Sequence, residues 1–552
     1  TVCGRPLTRE KNARQLNNEG LNNTAWWTDH AYRLPRFDRS AMAEKTMQAP
    51  RWVHFGAGNI FRAFQAHCAQ TLLDEGAADT GLIAAEGYDP ELPERIFHPH
   101  DNLNVLVTLK ADGTLEKTVI GSIAAALRAD PAFHEDWAAL TRAFEYPGLQ
   151  MASFTITEKG YHLTGADGAC LPDVACDMVS GPAHPVSYMG KVASLLYTRY
   201  LAGRLPLAMV SMDNCSHNGD KLRDAMFAMA DGWVKNGCAD EGFADYVRNG
   251  RLVSFPWTMI DKITPRPDAV VEKTLTEDGL ADMAPIVTAR HTYAAPFVNA
   301  EECEYLVIED DFPNGHPALD KSGVLFADRE TVDKVEKMKV CTCLNPLHTA
   351  LAVFGCLMGF ERIADEMRDE DLRRMVDILG YAEGLPVVVD PGAIRPKAFI
   401  DAVVNVRLPH PFMPATPQRL ATDTSQKLSI RFGETVKAYL RSDTLRVDTL
   451  RVIPLVFAGW LRYLTGLNDA GQPFTLSPDP LLETLRSRVD TLRLGDNPGL
   501  KEAVAPILRD ETIFGVDLFQ IGLAEKVIAL LADMLSAPGA VRNTLHRVVS
   551  EA

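Results

Sequence analysis

Between residues 51 and about 330 the chain is punctuated by short apolar runs, at 52–55, 82–85, 149–156 and 207–212, and the stretches between them carry helical periodicity. Short, continuous apolar runs bounded by turn-forming residues mark strands buried on both faces. Strands that alternate with helices build a parallel sheet. Beyond about residue 331 the strand-like runs thin out and long amphipathic stretches take over, at 350–373, 435–441, 454–465, 481–494 and 522–535. Each has an apolar stripe at helical spacing. The pattern predicts an α/β domain with a parallel-sheet core over 51–330 and a mostly α-helical domain over 331–552. Residues 1–50 are polar, rich in Asn and Arg, and without a sustained period. They read as an extension wrapped over the surface and docked through the Trp26–Trp27 pair.

Length supports the two-domain reading, since 552 residues exceed what one hydrophobic core ordinarily organises. A composition of 46% hydrophobic and 23% charged residues is that of a soluble globular protein. The formal net charge of -17 argues against a nucleic-acid or anionic-membrane surface, because phosphate binding needs clustered cations. A local pocket of Arg and Lys still suits a small anion. The ten cysteines lack secretory spacing, and no charged-then-apolar leader or long apolar segment precedes them, so a reducing cytoplasm is expected. Cys341 and Cys343 have no second pair at zinc-ligand spacing, so no metal site is expected and these are structural thiols.

Four segments carry candidate chemistry. Gly56 and Gly58 directly follow the first apolar run, and Asn59, Ile60, Phe61 and Arg62 lead into a helical pattern that continues to Leu73. Gly56 permits a tight turn, Gly58 lets the backbone approach a pyrophosphate, and the helix N-terminus presents unpaired N–H groups. Phe61 stands where a third glycine is usual, and a plain strand-to-helix turn has the same outline. The second apolar run ends in Ala85-Glu86-Gly87-Tyr88-Asp89. Either Glu86 or Asp89 is placed to bind an adenosine ribose diol and to repel the extra phosphate of NADP, which favours NAD. Asp213 and Asn214 follow the run 207–212, at the strand edge where open α/β sheets bind ligands. An Asn there can donate to a developing oxyanion, while an Asx-turn is the plainer reading. Lys339, Asn345 and His348 fall within ten positions at the start of an apolar helix. A lysine among apolar neighbours can act as a general base, and Asn and His can bond the reacting oxygen. Equally, Lys339 can be a helix-end cation and Asn345 an N-cap before Pro346.

Taken in order, these segments resemble the mannitol dehydrogenase family of polyol-specific long-chain dehydrogenases. The likeness includes the glycine turn, Thr155-Ile-Thr157-Glu158-Lys-Gly160-Tyr161, Asp213-Asn214 through Asn218-Gly219, and Met259-Ile-Asp261-Lys262-Ile-Thr264-Pro265, which is similar to the signature V-D-R-I-T-P. Glu309 to Gly315, Lys339 to His348 and Ser425-Gln-Lys427 complete it, from about residue 50 to the C-terminal helices. The resemblance implies a Rossmann-like N-terminal domain, a mostly helical C-terminal domain, an active site in the cleft between them, NAD as cofactor and no metal. Carried over by position, Lys339 is the general acid/base and Asn214 with Asn345 the oxyanion-stabilising pair. Asp261, His348 and Arg407 contact substrate, and Glu336 resembles a family acid linked to proton exchange. Lys262 departs from the signature's Arg.

The interval from Lys339 to Asn345 is one residue longer than in typical polyol dehydrogenases. On a continuous α-helix an extra residue rotates a side chain by about 100°. An irregularity ahead of Pro346 is therefore expected. The longer form is similar to the branch that reduces fructuronate to mannonate. A uronate carries a carboxylate, for which Arg407, Lys427 and Arg431 are charge-assisted candidates, although three cations on a solvated helix face look the same in sequence. The expected activity is hydride transfer between NAD(H) and an open-chain sugar acid. A neutral polyol dehydrogenase and a non-catalytic NAD(H)-binding regulator are the alternatives.

Overall fold

The computed structural model describes residues 14–551. The chain divides into two compact units, one ending at Asp333 and the other beginning at Lys334. At the centre of the first unit lie six strands: β1 (Trp52–Phe55), β2 (Leu82–Glu86), β3 (Ile123–Arg128), β4 (Met151–Phe154), β5 (Leu207–Ser211) and β6 (Val253–Ser254). They pair in the order β3-β2-β1-β4-β5-β6, and every pairing is parallel. This is the doubly wound dinucleotide-binding order, which reverses direction between β1 and β4. Successive side chains of a strand point to opposite faces, and here both faces are covered. Val53 and Phe55 face a core with Phe144, Leu196 and Trp233. Trp52 lies in a second core with Phe61, Phe64 and Leu72, the last on helix α1 (Ala66–Asp74). Helix α2 (Asn218–Lys235) follows β5.

Several strands went unread in the sequence. β3 is Ile-Ala-Ala-Ala-Leu-Arg, too rich in alanine to stand out as a strand. Beside the main sheet, Tyr32–Arg33, Leu115–Ile120, Asn104–Leu109 and Phe297–Glu301 form a four-stranded sheet in that order. A three-stranded sheet joins Thr258–Asp261, Tyr305–Glu309 and Leu325–Ala327. The first 50 residues are more than a surface wrap from residue 14 onward. Tyr32–Arg33 supplies an edge strand, and the helix Arg39–Gln48 packs on β3. Trp27 is fully buried and donates its indole N–H to Gly20 O at 3.0 Å. Residues 1–13 lie outside the described residues.

The second unit is helical. The division between the units falls within helix α3 (Arg329–Lys337). The core of the second unit is built on α4 (Asn345–Met358) and α5 (Val452–Leu464), which pack against each other. All thirteen residues of α5 are buried, as expected for a helix apolar on every side. The stretch 350–373, read as one amphipathic helix, breaks into three pieces. Gly359 ends α4 in the left-handed region at φ 77°, and new helices start at Ile363 and at Glu370, the latter capped by Asp369. One interrupted helical stretch, Arg329–Met358, is long and apolar enough to cross a membrane by composition, but 78% of its apolar window is buried inside the protein.

Candidate functional site

The glycine turn leaves β1 at the reversal of strand order. Gly56 has φ 98°, and a Cβ there would lie 2.2 Å from Thr155 O, so only glycine fits. A Cβ on Gly58 would meet no atom within 4 Å. Packing within the chain thus leaves open space at 58, which a phosphate drawn to the helix N-terminus would use. The helix opens at Asn59, and its next turn, Phe61–Gln65, is a π turn. Phe61 is fully buried and stacks on His54 with ring centroids 4.5 Å apart. Arg62 is buried as well, its guanidinium donating to Ala295 O at 2.6 Å and to Asn59 Oδ1 at 2.9 Å. Both side chains point into the protein, and the Arg62 N–H is donated to Gly58 O at 3.2 Å. Burial pushes the Arg62 guanidinium down to about 9 and the His54 imidazole to about 3, so His54 is neutral.

The two candidate ribose acids are both buried and engaged. Glu86 accepts from Ala57 N at 2.8 Å, Tyr88 N at 2.7 Å and Asp89 N at 2.9 Å, so its carboxylate braces the glycine turn from β2. Burial raises its pKa, and the three amides pull it back in part. Asp89 accepts from the Thr288 hydroxyl at 2.6 Å. A ribose diol at this edge would share these carboxylates with the protein.

Asp213, at the end of β5, is the buried hinge of the next loop. Its carboxylate accepts from Ile156 N at 2.9 Å, Thr157 N at 2.8 Å and the Tyr161 hydroxyl at 2.5 Å. Burial raises its pKa against the pull of these donors. The bonds fasten the loop after β4 to the loop after β5, where Thr157 has a positive φ of 64°. Asn218 does the same for the following strand, donating to Asp213 O at 2.9 Å and to Thr258 Oγ1 at 2.8 Å while accepting from Thr258 N at 3.0 Å. Asn214 sits exposed in the loop so fixed. Asp261 ends the strand Thr258–Asp261 and is buried. The Lys262 side chain is also buried, its ammonium pairing with Glu304 Oε2 at 2.7 Å and donating to Glu301 O at 3.1 Å. Nothing local announces Asp213 as a clamp, because its partners lie more than fifty residues upstream.

In the helical unit Lys339 lies in a π turn, Met338–Cys343, and is 3% exposed. The turn is closed by Leu344 N donating to Lys339 O at 3.2 Å, and Leu344 then kinks the chain at φ -133° before α4 begins at Asn345. A π turn holds one residue more than an α turn. The chain thus carries the expected irregularity between Lys339 and Pro346, and of a kind that absorbs one additional residue. Asn345 and His348 lie one turn apart at the start of α4, on one side of the helix. Arg407 and Arg431 also sit in π turns, Val403–Arg407 and Ser429–Gly433. Arg407 is buried, and Lys427 and Arg431 are half-buried, so these cations do not form a solvated face. Glu336 is half-buried on α3. Among the described residues no group of three or more His, Cys, Asp or Glu is placed to hold a metal ion.

Residues 50–321 match the mannitol dehydrogenase Rossmann domain and residues 331–535 the mannitol dehydrogenase C-terminal domain. The chain is 49% identical to a D-mannonate oxidoreductase of Thermotoga maritima, over 97% of this chain and 99% of that protein. Among solved structures, a substrate-free D-sorbitol dehydrogenase superposes with a TM-score of 0.76 at 25% identity, covering 93% of this chain and 97% of that one. A mannitol 2-dehydrogenase of Pseudomonas fluorescens, solved with NAD and D-mannitol, shares the fold with a TM-score of 0.68 at 24% identity, covering 98% of this chain and 100% of that one.

Proposed function

Because the chain belongs to the mannitol dehydrogenase family, and is thus an oxidoreductase acting on a CH–OH group, we propose that it interconverts D-fructuronate and D-mannonate with NAD(H). The observation that carries this reading is its near-full-length likeness to a D-mannonate oxidoreductase. The domains are proposed as residues 51–330 for the dinucleotide and 331–552 for substrate and catalysis, with 1–50 preceding them. A cytoplasmic location is part of the same reading.

The bound nicotinamide supplies or takes the hydride. The residues proposed to hold the dinucleotide are Gly56, Gly58 and the backbone from Asn59 to Arg62, with Glu86 or Asp89 at the adenosine ribose. The open space at Gly58 and the left-handed Gly56 fit that group. Lys339 gives a proton to the substrate oxygen in reduction and takes it back in oxidation. Asn214 and Asn345 donate hydrogen bonds to that oxygen as charge builds on it. Asp261, His348, Arg407 and Lys427 orient the sugar chain. The burial of Lys339 and its π turn support its role.

The test is the loss of NADH absorbance with a panel of ketouronates and ketoses, run alongside NAD reduction with mannonate and mannitol. The reading expects turnover of fructuronate and mannonate well above that of fructose and mannitol. Equal or greater activity on the neutral pair overturns it in favour of a polyol dehydrogenase, and NADH binding without turnover of any substrate leaves a regulator.

A further inference from the structure

We propose that Lys427 and Arg431 form an anion subsite that takes the carboxylate of the sugar acid, with the guanidinium of Arg431 as its main contact. The inference rests on the sugar-acid reading above and names the residues that would distinguish an acid from a neutral polyol.

The two cations lie one turn apart, since Arg431 N donates to Lys427 O at 2.9 Å. Residues spaced this way share a helix face, and like charges so placed repel. Their partners are neutral. Lys427 donates its ammonium to Thr422 O and, at 3.5 Å, to Leu420 O. Arg431 donates through Nη1 alone, to Thr349 Oγ1 at 2.6 Å and to Asn345 O at 3.5 Å. Among the described residues neither cation has a carboxylate at ion-pair distance. The acids that act on Lys427 are Asp423 and Asp479, neither in an ion pair with it. Asp479 is spent on Ser425 N at 2.8 Å, Ser425 Oγ at 2.5 Å and Leu481 N at 2.9 Å.

Burial pushes the Arg431 guanidinium down to about 10 and lowers the Lys427 ammonium, whose second cause is Arg431 itself. Placing two cations one turn apart where water is partly excluded, with only carbonyl and hydroxyl partners, is costly unless an anion joins them. The edge of the guanidinium formed by Nε and Nη2 carries no hydrogen bond to any described residue. That edge is a planar fork which matches the two oxygens of a carboxylate, and the lysine adds a point charge beside it. Arg431 also touches the backbone of Asn345 and the side chain of Thr349, at the N-terminal end of α4. A carboxylate held there is anchored against the helix end that carries Asn345 and His348. A neutral polyol offers that fork no charge.

The test compares wild type, Arg431→Gln, Arg431→Lys and Lys427→Gln with D-mannonate and D-mannitol, with thermal stability measured for each. Arg431→Gln is expected to raise the KM for mannonate about 10- to 100-fold, the loss of charge-assisted bonds, with a smaller change in kcat. The ratio of kcat/KM for mannonate over mannitol is expected to shrink by a similar factor. Arg431→Lys recovers part of it, and Lys427→Gln shows a smaller loss of the same kind. A merely structural strut would lower both substrates together and leave the ratio unchanged. Should Arg431→Gln fail to fold, the other two variants carry the same ratio test. Mannonate turnover with an unchanged ratio in all folded variants overturns the subsite. A wild type that ignores mannonate instead overturns the sugar-acid reading, and the subsite with it.

Discussion

Removing the Asp213 carboxylate should loosen the first unit at the point where its binding loops meet. Asp213 accepts two backbone N–H groups and one phenol, and the phenol of Tyr161 retains a second contact to Ser211 Oγ at 2.8 Å. Asp213→Ala therefore strands the amides of Ile156 and Thr157 while Tyr161 stays bonded. A stranded buried donor costs about 1–3 kcal/mol. Ile156 is half-buried and Thr157 is exposed, so water relieves much of this and a total of about 1–3 kcal/mol is expected. For a unit of more than 300 residues that corresponds to a fall of roughly 1.5–5 °C in the melting of the first unit. Asp213→Asn keeps one acceptor oxygen and should lose about half as much. Because Asn214 is the next residue, turnover should fall with the loop's order, whereas the glycine turn, braced separately by Glu86, should keep its nucleotide affinity. Calorimetry of the variants alongside steady-state kinetics and NADH titration checks this. A melting temperature for Asp213→Ala within about 1 °C of wild type, with turnover intact, would refute the reasoning.

Gly58→Val should fold normally, since its side chain enters open space, yet weaken NADH binding at least about tenfold by occupying the room meant for phosphate. An unchanged dissociation constant by fluorescence titration removes the glycine turn from the nucleotide site. Lys339→Ala should depress kcat by about 10²- to 10⁴-fold with NADH affinity nearly unchanged, and a kcat within threefold of wild type would strip Lys339 of its role. Glu366 is fully buried, neither carboxyl oxygen has a hydrogen-bond partner among the described residues, and burial holds its pKa well above the ordinary value. The folded chain then keeps this proton while the unfolded chain loses it. Stability should fall by about 1.4 kcal/mol per pH unit from the ordinary carboxyl value of 4.5 up to the raised one. Glu366→Met should flatten this dependence and stabilise the protein at neutral pH, and denaturation midpoints with the same pH slope in both proteins would contradict it.

The periodicities of the chain determined most of the secondary structure near the candidate site. β1, β2, β4 and β5 and the long apolar helices were legible because burial on both faces of a parallel sheet, or on all sides of a helix, writes continuous apolar runs into the sequence. Gly56 was legible because a left-handed turn against Thr155 O admits nothing else. The conjunction of short motifs in order pointed to the family. Tertiary structure alone decided the rest. β3 owes its place to pairing with β2, which an alanine-rich segment does not advertise. Asp213 became a clamp and Glu86 a brace only when strands far apart in sequence brought backbone amides to their carboxylates. Phe61 and Arg62, which sequence placed at the nucleotide, turned inward because apolar and hydrogen-bonding partners from distant segments met them there. The left-handed glycine of the turn was thus readable from the sequence, whereas the direction and partners of the side chains around it were fixed by long-range packing, which linear spacing does not encode.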